Sequence, residues 1–354
     1  MIERIRFGTT KEGEEASIYI LENSKGMHVQ LSDFGALVLT ILFPDKNGYI
    51  KDITLGFDEM EDYYNTDTGF GAYVGRNANR IKNASVTIEG TEYCLDRNDG
   101  KNNLHSGFNR SHCKMYDANY GKSREGCYVE FSRASLHLEQ GFPGDLKQKI
   151  RYTLTEQNEL IIDYKMIGDK TTVVNPTNHT YFNLNGQDCG NVLQHELEVY
   201  SNAFLEIDEE FIPTGKILDV ENTPMDFRKK QIIGTQIDSN YVQIIRAKGY
   251  DHNYVFPNDR KLKKMAMLHS EESGITMSVY SDLCGLQVYS GNFLNGVIGK
   301  NGIKYEERSG ICFETQYYPN ACNEEQFPSS ILKAGETYKS RTIYQFTNCK
   351  KEEI

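Results

Sequence analysis

Two residues in this chain have the type and surroundings for proton transfer. His179 lies in Asn175-Pro-Thr-Asn-His-Thr-Tyr-Phe-Asn-Leu-Asn-Gly186, which packs four asparagines and two aromatics around one histidine. A histidine on a half-buried strand holds a proton near neutral pH and can deliver it. Glu314 lies in Gly310-Ile-Cys-Phe-Glu-Thr-Gln-Tyr-Tyr-Pro319, a carboxylate inside an apolar run. Burying it costs desolvation energy, which raises its pKa towards the range of a useful base unless a cation pairs with it.

Three further clusters break the alternation of plain strands. Gly69-Phe-Gly-Ala-Tyr-Val-Gly-Arg-Asn-Ala-Asn-Arg80 closes on two arginines and two asparagines within five residues. Arginine is a fixed fork of donors, and asparagine both donates and accepts, so the set suits a hydroxyl-rich ligand. The competing reading is an arginine tied into loop carbonyls. The glycine spacing is not a dinucleotide fingerprint, and no βαβ pattern follows. Asn102-Asn-Leu-His-Ser-Gly107 places His105 in a loop, where either a ligand contact or a solvated histidine fits. Gly249-Tyr-Asp-His-Asn-Tyr-Val-Phe256 places Asp251 and His252 ahead of a strand.

The elements that must carry these groups read as strands. β-rich runs recur at Ile18–Leu21, Met27–Leu31, Ala36–Phe43, Ile53–Phe57, Cys127–Ser132, Gln148–Leu154, Leu160–Ile167, Ile275–Tyr280, Leu286–Tyr289 and Arg341–Phe346. Turn signals separate them, and a hairpin is expected with its loop at 156–159. Only Asp58–Tyr64 and Arg228–Gly234 suggest a turn or two of helix. The expectation is all-β: a large antiparallel β-sandwich with few short helices. No linker or internal repeat divides the chain, so residues 1–354 are expected to form a single domain.

The chain has 39 basic and 50 acidic residues, a formal net charge of −11. No nucleic-acid partner is expected, because phosphate neutralisation needs clustered Lys and Arg, and an anionic membrane surface is disfavoured likewise. No run of 18 apolar residues would span a membrane. The opening MIERIRFGTT lacks the apolar core of a secretory signal. The eight cysteines form no CxxC pair and are read as reduced thiols in a cytoplasmic protein.

Eight stretches taken together resemble the aldose 1-epimerase family, the galactose mutarotases. They are GFGAYVGRNANRI, NNLHSGF, FPGDL, NPTNHTYFNL, FIPTG, GYDHNYVF, LQVYSGNF and GICFETQYYPNACN, in the family's order. The resemblance runs from about Phe34 to the C-terminal strand and implies a large β-sandwich with a substrate cleft on one face. It implies an isomerase that interconverts the α and β anomers of free aldoses, usually galactose or glucose. By motif, His179 is implied as general acid and Glu314 as general base. Arg80, His105 and Asp251 are implied as contacts to sugar hydroxyls, with Asn79, Tyr181 and Gln287 as outer contacts. The chain departs from the family pattern at Ser106, where glycine is more usual, at Asn320 in place of aspartate, and in having no tryptophan. These departures leave the preferred sugar open.

The implied chemistry needs a base at the C1 hydroxyl and an acid at the ring oxygen, each worth roughly 10²–10⁴-fold. No hydride moves and no carbanion forms, so no cofactor and no metal are expected; the partner is a small free sugar. Activity should follow a bell in pH, the acidic limb reporting the base and the alkaline limb the acid as a coupled pair. Two rival readings remain open from sequence. A glycoside hydrolase would pair Glu314 with Asp251 and leave His179 idle. A sugar-binding module would keep Arg80, His105 and Asp251 without needing both His179 and Glu314. Oligomeric state is not readable from the chain.

Overall fold

The paired strands Leu146–Thr155 and Glu159–Gly168 show how this sequence makes sheet. Leu154, Tyr152, Ile150 and Gln148 face Leu160, Ile162, Tyr164 and Met166 across the ladder, all buried. Lys147 and Lys149 between them point to solvent. That period of two puts one apolar face inward, and a slip of one residue would turn it outward.

A computed structural model describes residues 1–349. Three antiparallel sheets dominate. The largest has nine strands and runs spatially from Asp117–Lys122 through the hairpin above and Thr337–Asn348 to Gln231–Ile232. A five-stranded sheet uses Ile2–Thr9, Glu15–Glu22, His28–Ser32, Leu37–Pro44 and Ile50–Asp52. A six-stranded sheet runs Tyr181–Phe182, Ile311–Gln316, Gly285–Tyr289, Asp251–Val255, Ala203–Ile207 and Pro213–Asp219. One apolar core draws on all three: Leu31 and Ile41, Phe131 and Tyr152, Val288 and Phe313 belong to it. The α-helices are short, Met60–Tyr64 and Val242–Ala247.

Most expected strands are present, and the hairpin loop falls where the turn signal placed it. Three expectations need correction. Ile53–Phe57 is extended but joins no ladder, because its backbone is shared among several segments. Ile53 N–H donates to Ile41, Leu55 N–H to Tyr181, and the Thr54 carbonyl accepts from Lys300 Nζ. Arg228–Gly234 forms no helix of its own; Gln231–Ile232 joins the sheet edge, and a 3₁₀ turn follows at Ile233–Thr235. Asp251 begins its strand rather than preceding it.

Candidate active site

Alternation in the six-stranded sheet decides which side chains reach the cleft. In Ile311–Gln316 every residue is buried. Ile311 and Phe313 enter the main core, while Cys312 packs in a second apolar cluster with Tyr181 and Tyr289. Glu314 shares the Cys312 face by parity. Register aligns two rows across the strands: Asp251, Tyr289, Cys312 and Tyr181, and beside it Asn253, Gln287 and Glu314.

His179 comes from a separate short ladder, Thr177–His179 against Ala72–Val74. The polar residues around it fasten that ladder to the sheet. Asn175 accepts from Tyr317 N–H at 2.7 Å and donates to the Tyr317 carbonyl. Thr177 Oγ1 donates to the Thr315 carbonyl at 3.1 Å, and Asn178 Nδ2 donates to the Gly71 carbonyl at 3.1 Å. Gly71 has φ 65°, and its N–H donates to the His179 carbonyl. A Cβ there would stand 1.9 Å from the Val38 carbonyl oxygen, so only glycine fits. The histidine's asparagine and threonine neighbours therefore set its distance from Glu314. His179 Nε2 lies 3.6 Å from Glu314 Oε1.

The two arginines of the glycine-rich segment separate cleanly. Arg76 is fully buried and donates to the Ser135, Leu136, Pro143 and Gly144 carbonyls and to two hydroxyls. It ties loops together. Arg80 faces the cleft, its Nε donating to Asp99 at 2.7 Å and its guanidinium lying 4.6 Å from the centre of the Phe211 ring. Asn79, at φ 61°, and His105, at φ 52°, hold each other by backbone. Asn79 N–H also donates to His105 Nδ1 at 3.1 Å. The proton of a neutral His105 ring is thereby placed on Nε2.

Asn79, Arg80, His105, His179, Tyr181, Asp251 and Glu314 line one cavity of about 380 Å³. Gln287 is not among its lining residues; its Nε2 donates to Asp251 Oδ1 at 2.6 Å and holds that carboxylate from behind. The Tyr181 hydroxyl donates to the Thr68 carbonyl, and its ring tilts against His179. Sequence reading missed Arg110, His112, Tyr289 and Phe293, which also line the cavity. Tyr289 was findable, since it shares a strand face with Gln287. The other three lie outside the sheet's ladders, where no periodicity marks them.

Enclosure shapes the protonation of the site. Burial pushes His179 down to about 4. Burial, then the nearby Asp251 carboxylate, push Glu314 well above the ordinary carboxylate range, while Arg80 opposes. Burial also raises Asp251 and lowers His105 well below the usual histidine range. The 3.6 Å contact suggests an ion pair, whereas the shifts favour a neutral carboxyl beside a neutral imidazole. Both arrangements hold one proton between the two groups, and burial favours the uncharged one. The directions of these shifts run opposite to the limb order expected from sequence: they lead to the expectation of an acidic limb from His179 and an alkaline limb from Glu314.

His105, His179 and Glu314 bring ligand atoms within 4.8 Å of one another, a spacing that raises the question of a metal. The tautomer argues against it. With Nδ1 of His105 accepting from Asn79, Nε2 carries a proton and offers the cavity a donor, not a lone pair. That donor suits a hydroxyl oxygen.

The site therefore places a buried histidine and carboxyl beside hydrogen-bond donors and acceptors, on an all-β scaffold. The aldose 1-epimerase family model matches residues 17–345. The chain is 39% identical to the galactose mutarotase of Bos taurus, over 92% of each chain. It is 34% identical to the aldose 1-epimerase of Escherichia coli, over 95% of this chain and 96% of that protein. The crystal structure of an aldose epimerase homologue from C. elegans superposes with a TM-score of 0.85 at 31% identity, covering 94% of this chain and 99% of that one. The chain belongs to the aldose 1-epimerase family of isomerases.

Proposed function

We propose that this chain interconverts the α and β anomers of a free aldohexose, galactose or glucose, with Glu314 as general base and His179 as general acid. The observation that carries the reading is the 3.6 Å approach of the two groups in a cavity edged by Arg80, His105 and Asp251. Glu314 takes the proton of the C1 hydroxyl. The bond from C1 to the ring oxygen breaks with its electron pair on that oxygen, which receives the Nε2 proton of His179. The aldehyde rotates about C1–C2. The ring oxygen then attacks the other face of C1, returning its proton to His179 while the former carbonyl oxygen regains one from Glu314.

The shared proton first moves from the resting Glu314 carboxyl to His179; ring opening then begins with carboxylate and imidazolium and leaves carboxyl and imidazole, and closure restores the charged pair. Both states hold the same number of protons, so the cycle needs no exchange with solvent. Asp251 and Arg80 would bind hydroxyls away from C1, with Asn79, Tyr181 and Gln287 supporting them and His105 donating through Nε2. The reaction calls for no cofactor and no metal.

One core shared by three sheets supports reading residues 1–354 as a single domain. Eight cysteines without a disulfide among the described residues support a cytoplasmic setting. None of the described helices is long and apolar enough to cross a membrane.

Polarimetry on freshly dissolved α-galactose and α-glucose tests the function. Faster decay of rotation than buffer alone is expected. Sugar binding without any acceleration would leave a binding module in its place.

A further inference from the structure

We propose that Cys312 is a positioning residue for the reaction, its thiol hydrogen-bonding Nδ1 of His179 so that Nε2 is the nitrogen that carries and delivers the proton. The inference rests on His179 being the acid. Cys312 Sγ lies 3.6 Å from His179 Nδ1, on the far side of the ring from the Nε2 contact to Glu314. The two contacts come from one strand, Cys312 and Glu314 being two residues apart and on the same face. A single element thus grips both ends of the imidazole.

The chemistry of sulfur gives the contact a direction. Cys312 is fully buried, and burial, with Glu314 and Asp251 nearby, raises its pKa well above the ordinary thiol range. It remains an S–H, able to donate to the lone pair of Nδ1 in the neutral ring, and this fixes the remaining proton on Nε2. When the ring is protonated, the thiol offers Nδ1–H only a weak acceptor, beside the hydrogen bond of the ring to its own backbone. The imidazolium gains little from it and parts readily with its Nε2 proton. A hydroxyl or carboxylate in that place would hold the cation more firmly. The titratable groups facing the ring are Glu314 from the same strand, His105, His112, Tyr181 and Tyr289; Arg80 and Asp251 act on it through Glu314.

The test uses Cys312→Ala and Cys312→Ser in the full chain, with His179→Gln as control, folding checked by circular dichroism. Steady-state polarimetry gives kcat, KM and the pH profile of each. Cys312→Ala loses the donor, and kcat is expected to fall roughly 2–10-fold, the worth of one modest hydrogen bond, with KM unchanged. Cys312→Ser keeps a donor, so its kcat is expected to fall less than that of Cys312→Ala. Because serine is the better acceptor, it also moves the acidic limb of kcat/KM to higher pH. If His179→Gln is inactive while both cysteine variants keep wild-type kcat and the wild-type acidic limb, the proposal is overturned and Cys312 only fills space. Equal losses in both variants with an unmoved limb would assign the effect to packing and also overturn it. Should Cys312→Ala fail to fold, the limb of Cys312→Ser decides alone. An active His179→Gln would instead overturn the acid assignment itself.

Discussion

Replacing Glu314 with glutamine should separate catalysis from stability. The amide keeps the shape and the reach to the C1 hydroxyl but cannot take a proton, so kcat is expected to fall roughly 10²–10⁴-fold with little change in KM. Stability should move the other way at neutral pH. Glu314 is 2% exposed, and its folded pKa is raised above the unfolded value of 4.5. Below pH 4.5 both states bind the proton and the residue is neutral in its effect. Between 4.5 and the folded pKa only the unfolded chain ionises, and each pH unit weakens folding by about 1.4 kcal/mol. Glutamine removes that penalty. Calorimetry should show Glu314→Gln melting higher than wild type at pH 7.5, by roughly 2 °C for each kcal/mol recovered. The gain should shrink to nothing as pH approaches 4.5. A variant less stable than wild type at pH 7.5 would refute the reasoning. It would mean that the pair rests as carboxylate and imidazolium, and that the substitution strands a buried cation. A folded variant with near wild-type kcat would dismiss Glu314 as the base.

The pH profile of kcat/KM should be bell-shaped, with activity confined to the range where the pair holds one proton. Its acidic limb should fall near 4, reporting His179, and its alkaline limb above the usual carboxylate range, reporting Glu314; a flat profile from about pH 3 to 9 would exclude the pair. Asp251→Asn and Arg80→Ala should raise KM more than they lower kcat in steady-state polarimetry, since the proposed contacts are to hydroxyls away from the breaking bond. Dithiothreitol should leave the melting temperature unchanged; a fall of the size that follows loss of a native disulfide, about 2–5 kcal/mol, would contradict the reduced, cytoplasmic reading.

What could be read from sequence depended on whether a signal was local. Glu314 announced itself as a charge within an apolar strand, and His179 by a dense polar neighbourhood, so both were visible before any fold was known. The meaning of that neighbourhood was not. Asn175 and Thr177 bond to Tyr317 and Thr315, some 140 positions along the chain. Ile53–Phe57 looked like a ladder strand because its composition is one, yet its pairing stops at a single bridge, Thr54 to Phe182, with further bonds to Ile41 and Lys300. Val242–Ala247 went unseen because six residues are too few to show a helical period. Arg76 and Arg80 are both buried and stand four apart, and only their partners tell them apart: loop carbonyls for Arg76, Asp99 and the cavity for Arg80.

The cavity has a floor and an overhang of different origin. Asp251 and Glu314, with Gln287 behind them, stand on three hydrogen-bonded neighbours of one sheet, locked in register. Asn79, His105, Phe108 and Arg110 hang from connecting segments. Connections accept insertions and exchanges far more readily than central strands do. On the proposed roles, descendants of such a chain can change which hydroxyls they greet by rewriting the overhang, while the floor keeps the carboxylate in place. Divergence in taste and constancy in reaction are both consequences of that division.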